Sequence, residues 1–180
     1  MCRTDEECIQ RCLNGHPNAY RWLVQRHQNA VLAYLIGRMG SPDHAEEATQ
    51  EAFVRAYFSL GKLRDGKSFL PWLIGIAVRV GKELNRSRRR YSASGDMVDV
   101  PAPGLSENAG VDEALQAAVA RLPGVYREAV LLRYNAGLSC AQMAEYLGLP
   151  IGSVTKRLSR AYTLLREMLA GAEHDGKAAR

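Results

Sequence analysis

Between Leu138 and Leu165 the chain reads LSCAQMAEYLGLPIGSVTKRLSRAYTLL. Within eight residues of it stand Ser153, Thr155, Lys156, Arg157 and Arg160, a set of short donors and cations. None is a nucleophile beside a base; what the set can do is hydrogen-bond base edges and neutralise phosphates. At the 3.6-residue period Ile151, Val154, Leu158, Ala161 and Leu165 share the opposite stripe, which predicts a helix packed on one side. The spacing of Ser139 and Gln142 predicts a capping box opening a preceding helix. Gly148 supplies the turn, and Pro150 marks where the next helix begins. The unit reads as a helix-turn-helix that lays its second helix in a DNA groove. An ordinary helix pair with a solvated polar face would share the turn chemistry.

A second concentration of charge lies upstream. Arg79, Lys82, Arg86, Arg88, Arg89 and Arg90 place six cations in twelve residues, with Glu83 the one acid among them. Such a run suits phosphates, although a helix C-terminus also favours cations with no ligand at all. The loop from Ser59 to Ser68 adds Gly61, Lys62, Arg64, Gly66 and Lys67 just before the aromatic-bearing stretch from Phe69. A cationic loop beside aromatic rings can hold a nucleotide taken out of the base stack.

Other chemistries find no support. No nucleophile, base and orienting group recur at useful spacing, and no P-loop glycine pattern is present, so no catalytic residue is assigned. Cys2, Cys8, Cys12 and Cys140 form no paired C-x-x-C knuckles, and His16, His27, His44 and His174 are scattered, so neither a metal nor another cofactor is expected. Cys8 and Cys12 lie one helical turn apart, where Cys2 could join them in a thiol or metal sensor; reduced thiols are the simpler reading.

The elements that must position these residues are helical. The fold class expected is all-α, with two small helical domains joined by a flexible linker. The 180 residues carry a net charge of +5, unevenly spread. Residues 20–90 sum to +7, residues 91–112 to −4 and residues 113–170 to +3. The acidic strap holds Pro101, Pro103 and three glycines without an apolar period, hence a tether. The domains are therefore 1–90, a linker over 91–112, 113–170 and a tail over 171–180. Two basic lobes on a tether suit two contacts on one polyanion.

In the first lobe Tyr20, Leu23, Val24, Val31, Tyr34 and Leu35 make one amphipathic helix ending near Gly37 to Gly40. The next opens at Asp43, with Glu46 completing a capping box, and buries Ala45, Ala48, Ala52, Phe53, Ala56, Tyr57 and Leu60. Its other face offers Glu47, Gln50, Glu51, Val54 and Arg55. DNA would repel acids there, so this face is assigned to a protein partner rather than left as a solvated surface. A third helix from Phe69 to Arg90 turns Phe69, Trp72, Leu73, Ile76, Ala77, Val80 and Leu84 inward. The longest apolar stretch, Phe69 to Val78, is far short of the ~20 residues of a membrane span. Acids at Asp5, Glu6 and Glu7 replace the basic start of a signal peptide, so a cytoplasmic location is expected.

These motifs resemble the sigma factors of bacterial RNA polymerase, specifically the minimal extracytoplasmic-function group, from about Gly15 to Leu169. HAEEATQEAFVRAY, from His44 to Tyr57, is similar to the region-two helix that docks on the clamp coiled coil of the polymerase largest subunit. FLPWLIGIA, from Phe69 to Ala77, resembles the tryptophan-bearing start of the promoter-melting helix. ARLPGVYREAVLLRY and the helix-turn-helix resemble region four, which reads the minus-thirty-five element.

The resemblance implies a transcription initiation factor with core polymerase and promoter DNA as partners, including the flap region of the second-largest subunit, and with an anti-sigma protein as a further partner. It implies minus-thirty-five contacts from Ser153, Thr155, Lys156, Arg157 and Arg160. It implies minus-ten contacts and melting from Lys62, Arg64, Lys67, Arg79, Lys82, Arg86, Arg88 and Arg89, and docking through Glu47, Gln50, Glu51 and Val54. Four positions depart from the family pattern: Val78 and Arg79 replace its Arg-Asn pair, Glu83 stands where Asp is frequent, and His44 replaces an initial Asp. The rival readings are a stand-alone helix-turn-helix regulator and a decoy that titrates an anti-sigma protein. The retained cations at Arg86 to Arg90, Lys156, Arg157 and Arg160 weigh against the decoy.

Overall fold

The apolar stripes close into two cores, in the units Met1–Ala102 and Pro103–Arg180. The computed structural model describes residues 3–63, 68–92 and 111–178, and every regular element among them is helical. None of these helices is long and apolar enough to cross a membrane.

In the first unit α1 (Asp5–Leu13) leads through a short 3-10 turn to α2 (Tyr20–Met39), α3 (Pro42–Ser59) and α4 (Phe69–Ser92). The Thr4 hydroxyl accepts the Glu7 N–H at 3.1 Å, while Asp5, Glu6 and Glu7 meet the positive end of α1. Helix α2 stops at Gly40, whose φ of 72° is left-handed and whose N–H returns to the Ile36 carbonyl at 2.8 Å. The start of α3 differs from the expected Asp43 cap. Ser41 caps it and Pro42 takes the first helical position, because a fixed φ and a missing N–H cost nothing there.

Helix α3 packs against both α2 and α4. Ala45, Ala48, Ala52 and Ala56 are fully buried along its inner face, and such small side chains let the neighbouring helices come close. Leu23, Val31, Tyr34 and Leu35 of α2 and Phe69, Leu73, Ile74, Ala77 and Val80 of α4 complete the core, with Cys8 and Ile9 of α1 beneath. Burying each large aliphatic side chain contributes about 1.5–3 kcal/mol before ordering costs. Three residues expected inside sit at its edge. Tyr57 is 38 % exposed, and Trp72 and Leu84 are half-buried. Tyr57 instead stacks edge-on against Tyr20 at 5.0 Å, and the Tyr20 hydroxyl donates to the Phe53 carbonyl at 2.6 Å.

In the second unit α5 (Val111–Arg121) and α6 (Gly124–Val130) lead into one widened turn, Leu131–Asn135, then α7 (Cys140–Leu147) and α8 (Ile151–Ala178). Residues 91–92 close α4 and 111–112 open α5; the rest of the tether expected over 91–112 lies outside the described residues. Helix α8 continues eight residues beyond Ala170, where a tail was expected to begin. It receives α5, α6 and α7 along its length. Leu122, Val130 and Ala161 form a buried cluster, with Val119, Tyr126, Leu164, Leu165 and Met168 packed around it.

Candidate nucleic-acid interface

The reading end of the second unit is built as its sequence predicts. Ser139 accepts the Gln142 N–H at 3.2 Å while the Gln142 carboxamide accepts the Ser139 N–H at 2.9 Å, so the capping box is closed both ways. Gly148 has φ 63° with no heavy atom within 4 Å of where a Cβ would sit. Val154, Leu158 and Ala161 are buried and fix the rotation of α8. Ile151, expected on that stripe, is 53 % exposed, because at the first position of a helix no preceding turn covers it.

Thr155, Lys156 and Arg160 are exposed, while Ser153 and Arg157 are half-buried beside them. The Thr155 hydroxyl turns back onto its own helix, donating to the Gly152 carbonyl at 3.0 Å. Its methyl is thus left as the contact group, the kind that meets a thymine methyl. The Tyr134 and Tyr162 hydroxyls meet at 3.1 Å, and burial together with this bond pushes the Tyr162 pKa up to about 12.

The first unit carries a groove of about 240 Å³ lined by Arg55, Ser59, Lys62, Trp72, Ile76, Arg79 and Glu83. Below the roughly 300–1,000 Å³ of small-molecule sites, it suits one flat ring. Trp72 and Ile76 give it an apolar wall, Lys62 and Arg79 bring positive charge to its rim, and Arg55 lines it paired with Glu83. The structure thus brings together Lys62 and Arg79 of the expected melting set. Lys82, Arg86 and Arg89 are exposed further along α4. Arg64 and Lys67 lie outside the described residues, as does Cys2.

The expected docking face resolves into two rows. Gln50, Val54 and Phe58 recur every four residues on the outer side of α3; Val54 is 49 % and Phe58 80 % exposed. Glu47, Glu51 and Arg55 form the adjoining row, whose acids are engaged by cations. Glu47 accepts from Arg88, while Arg55 donates to Glu51 at 2.7 Å and to Glu83 at 2.6 Å. Those bonds, to Glu51 first and then Glu83, raise the Arg55 pKa. Phe58 is not among the docking residues expected, but it sits one turn beyond Val54, off the alanine stripe.

Among the described residues no cluster of three or more His, Cys, Asp or Glu side chains could hold a metal ion. Cys8 is buried and Cys12 half-buried.

Residues 23–91 match the sigma-70 region 2 family and residues 112–165 match sigma-70, region 4. The ECF RNA polymerase sigma-E factor of Escherichia coli K12 is 31% identical over 173 residues, covering 88% of this chain and 90% of that protein. The RNA polymerase sigma-H factor of Pseudomonas aeruginosa is 28% identical over 175 residues, 87% and 89% of the two chains. A Xanthomonas campestris protein named "Probable RNA polymerase sigma factor RfaY" is 36% identical over 165 residues, and there the chain spans 41% of the relative's length. The fold is also that of the sigma factor RpoE solved with the anti-sigma factor NepR from Bartonella quintana, with a TM-score of 0.66, 24% identity and coverage of 84% of this chain and 96% of that one. CnrH, solved with the cytosolic domain of CnrY, gives a TM-score of 0.66 at 22% identity over 93% and 97%. The chain belongs to the sigma-70 family of transcription initiation factors, in its extracytoplasmic-function group.

Proposed function

We propose that the two units divide one task, selection of a promoter by core RNA polymerase. The second unit reads duplex DNA upstream through Lys156, Arg157 and Arg160, with Ser153 and Thr155 against base edges. The first unit docks through the Gln50, Val54 and Phe58 row with Glu47 and Glu51 beside it. It holds an unstacked downstream base in the groove between Lys62, Trp72 and Arg79, while Lys82, Arg86, Arg88 and Arg89 track the phosphates; Arg64 and Lys67 belong with this set by sequence. The single observation that carries this division is the groove itself, an apolar wall of Trp72 and Ile76 with Lys62 and Arg79 at its rim, within the region 2 match. Catalysis is assigned to the polymerase, and the site of action to the cytoplasm.

The test is runoff transcription by core enzyme, with and without the chain, on a library of randomised promoters. Enrichment of one two-part sequence motif only when both proteins are present supports the reading. Specific DNA binding by the chain without core would favour a stand-alone regulator, and neither activity would favour a decoy. An anti-sigma protein is the further partner assigned, by likeness to the sigma factor RpoE solved with the anti-sigma factor NepR.

A further inference from the structure

One residue assigned to the polymerase and one assigned to DNA are bonded to each other. Glu47 lies on the outer side of α3, its side chain half-exposed, and accepts a hydrogen bond from Nη2 of Arg88 on the cationic end of α4. The other terminal nitrogen of Arg88, Nη1, is buried and has no acceptor. A guanidinium can serve a carboxylate or a phosphate with two parallel N–H donors. Here one donor is committed to Glu47 and its neighbour is left without an acceptor.

A second set of ion pairs lies further along the same two helices. The row Glu47, Glu51 and Arg55 on α3 faces Arg88 and Glu83 on α4, with Arg55 shared between Glu51 and Glu83. The ion pairs therefore run along the seam between the docking helix and the DNA helix. We propose that the Glu47–Arg88 pair is an autoinhibitory latch: in the free chain α3 withholds Arg88 from DNA, and docking of Glu47 on a cationic polymerase surface releases Arg88 to a promoter phosphate. This rests on the docking reading of α3 given above. Two half-exposed partners make a weak pair, so a competing cation suffices to open it. The same weakness bounds the effect to about 2- to 5-fold in affinity.

The experiment measures binding of a fluorescein-labelled, mixed-sequence single-stranded 20-mer by the full chain alone and by the chain bound to core polymerase. Glu47→Gln should tighten binding by the free chain about 2- to 5-fold and steepen its salt slope by about 0.7, the contribution of one added single-strand phosphate contact. Glu46→Gln removes the same charge from an exposed neighbour outside the pair and should change neither quantity by as much. The gain should vanish in the Glu47→Gln, Arg88→Ala double variant, and should be absent once core is bound. An equal gain from Glu46→Gln, or a gain that survives Arg88→Ala, overturns the latch. A gain that persists in the complex overturns its release by docking. Failure of the wild-type chain to bind core overturns the docking reading itself, and is read by a separate pull-down.

Discussion

The Asp5 carboxylate lies 2.8 Å from Nε2 of His27 and also accepts from Arg26, so one acid at the start of α1 clamps that helix to two successive residues of α2. An ionised carboxylate only accepts, which sets the His27 proton on Nε2. Burial alone would raise the Asp5 pKa; the bonds from His27 and Arg26 outweigh it, and the pKa falls below the ordinary 3.8.

Because the folded-state pKa is depressed, the clamp's contribution is present above the unfolded value and is lost as pH falls through the folded one. Asp5→Asn should therefore lower the Tm at pH 6, and the gap from wild type should close as the pH drops below about 3.8. Thermal melts across that range decide it, and a gap independent of pH would remove the clamp's electrostatic origin.

Docking is expected to rest on an aromatic anchor. Phe58 is 80 % exposed, so Phe58→Ser should leave stability within about 0.5 kcal/mol. As a central aromatic anchor it should cost about 2 kcal/mol or more in core affinity, some 30-fold. Unchanged capture of core by the folded variant would move the docking surface elsewhere.

Upstream contacts should separate by kind. Lys156→Ala or Arg160→Ala in the polymerase complex should either flatten the salt slope by about 1, as for a lost phosphate, or cost about 1–3 kcal/mol and relax one base position. Footprinting and binding across salt concentrations distinguish the two, and variants that keep both the slope and every base preference would show that α8 reads nothing.

Melting has an energetic threshold. Separating duplex DNA costs about 1.4 kcal/mol per step, and stacking one extruded base returns about 1–3 kcal/mol. Lys62→Gln with Arg79→Gln should then cut transcription from duplex promoters about 10-fold or more while largely sparing a template with a pre-opened bubble. Permanganate reactivity reports the opening directly, and equal losses on both templates would assign the groove to general phosphate binding instead.

Gly148 is open to a purely conformational test. Nothing stands within 4 Å of a Cβ there, so Gly148→Ala should destabilise the second unit by about 1–2 kcal/mol through its φ of 63° alone. Gly148→Asn should recover part of that loss. Hydrogen exchange of the α7 and α8 amides measures it, and full protection in the alanine variant would contradict the strain.

Sequence periodicity exposed the helices and the helix-turn-helix because each rests on local rules, as Ser139, Gln142 and Gly148 illustrate. The inner face of α3 was equally plain in its alanines. What the pattern could not carry was pairing across helices. Glu47 and Arg88 stand 41 positions apart, and Arg55 and Glu83 stand 28 apart, so only the packing of α3 on α4 brings them together. Helix α1 and its Asp5 clamp escaped notice because nine residues give too short a period. The exposure of Tyr57 and Ile151 was misjudged because periodicity assigns a face without saying where the covering element ends.

Helix α4 also works as a measuring rod. From Trp72 on the groove wall to Arg89 near its end the helix is unbroken, and seventeen residues at 1.5 Å each set about 25 Å between them. Against 3.4 Å per phosphate along one strand of duplex DNA, that is a span of about seven phosphates. Since the rod cannot stretch, the proposed function ties the spacing between a base in the groove and the last backbone contact to the number of residues between Trp72 and Arg89. Adding a single residue in that interval would turn every later cation by about 100° around the axis, so length and phase are inherited together.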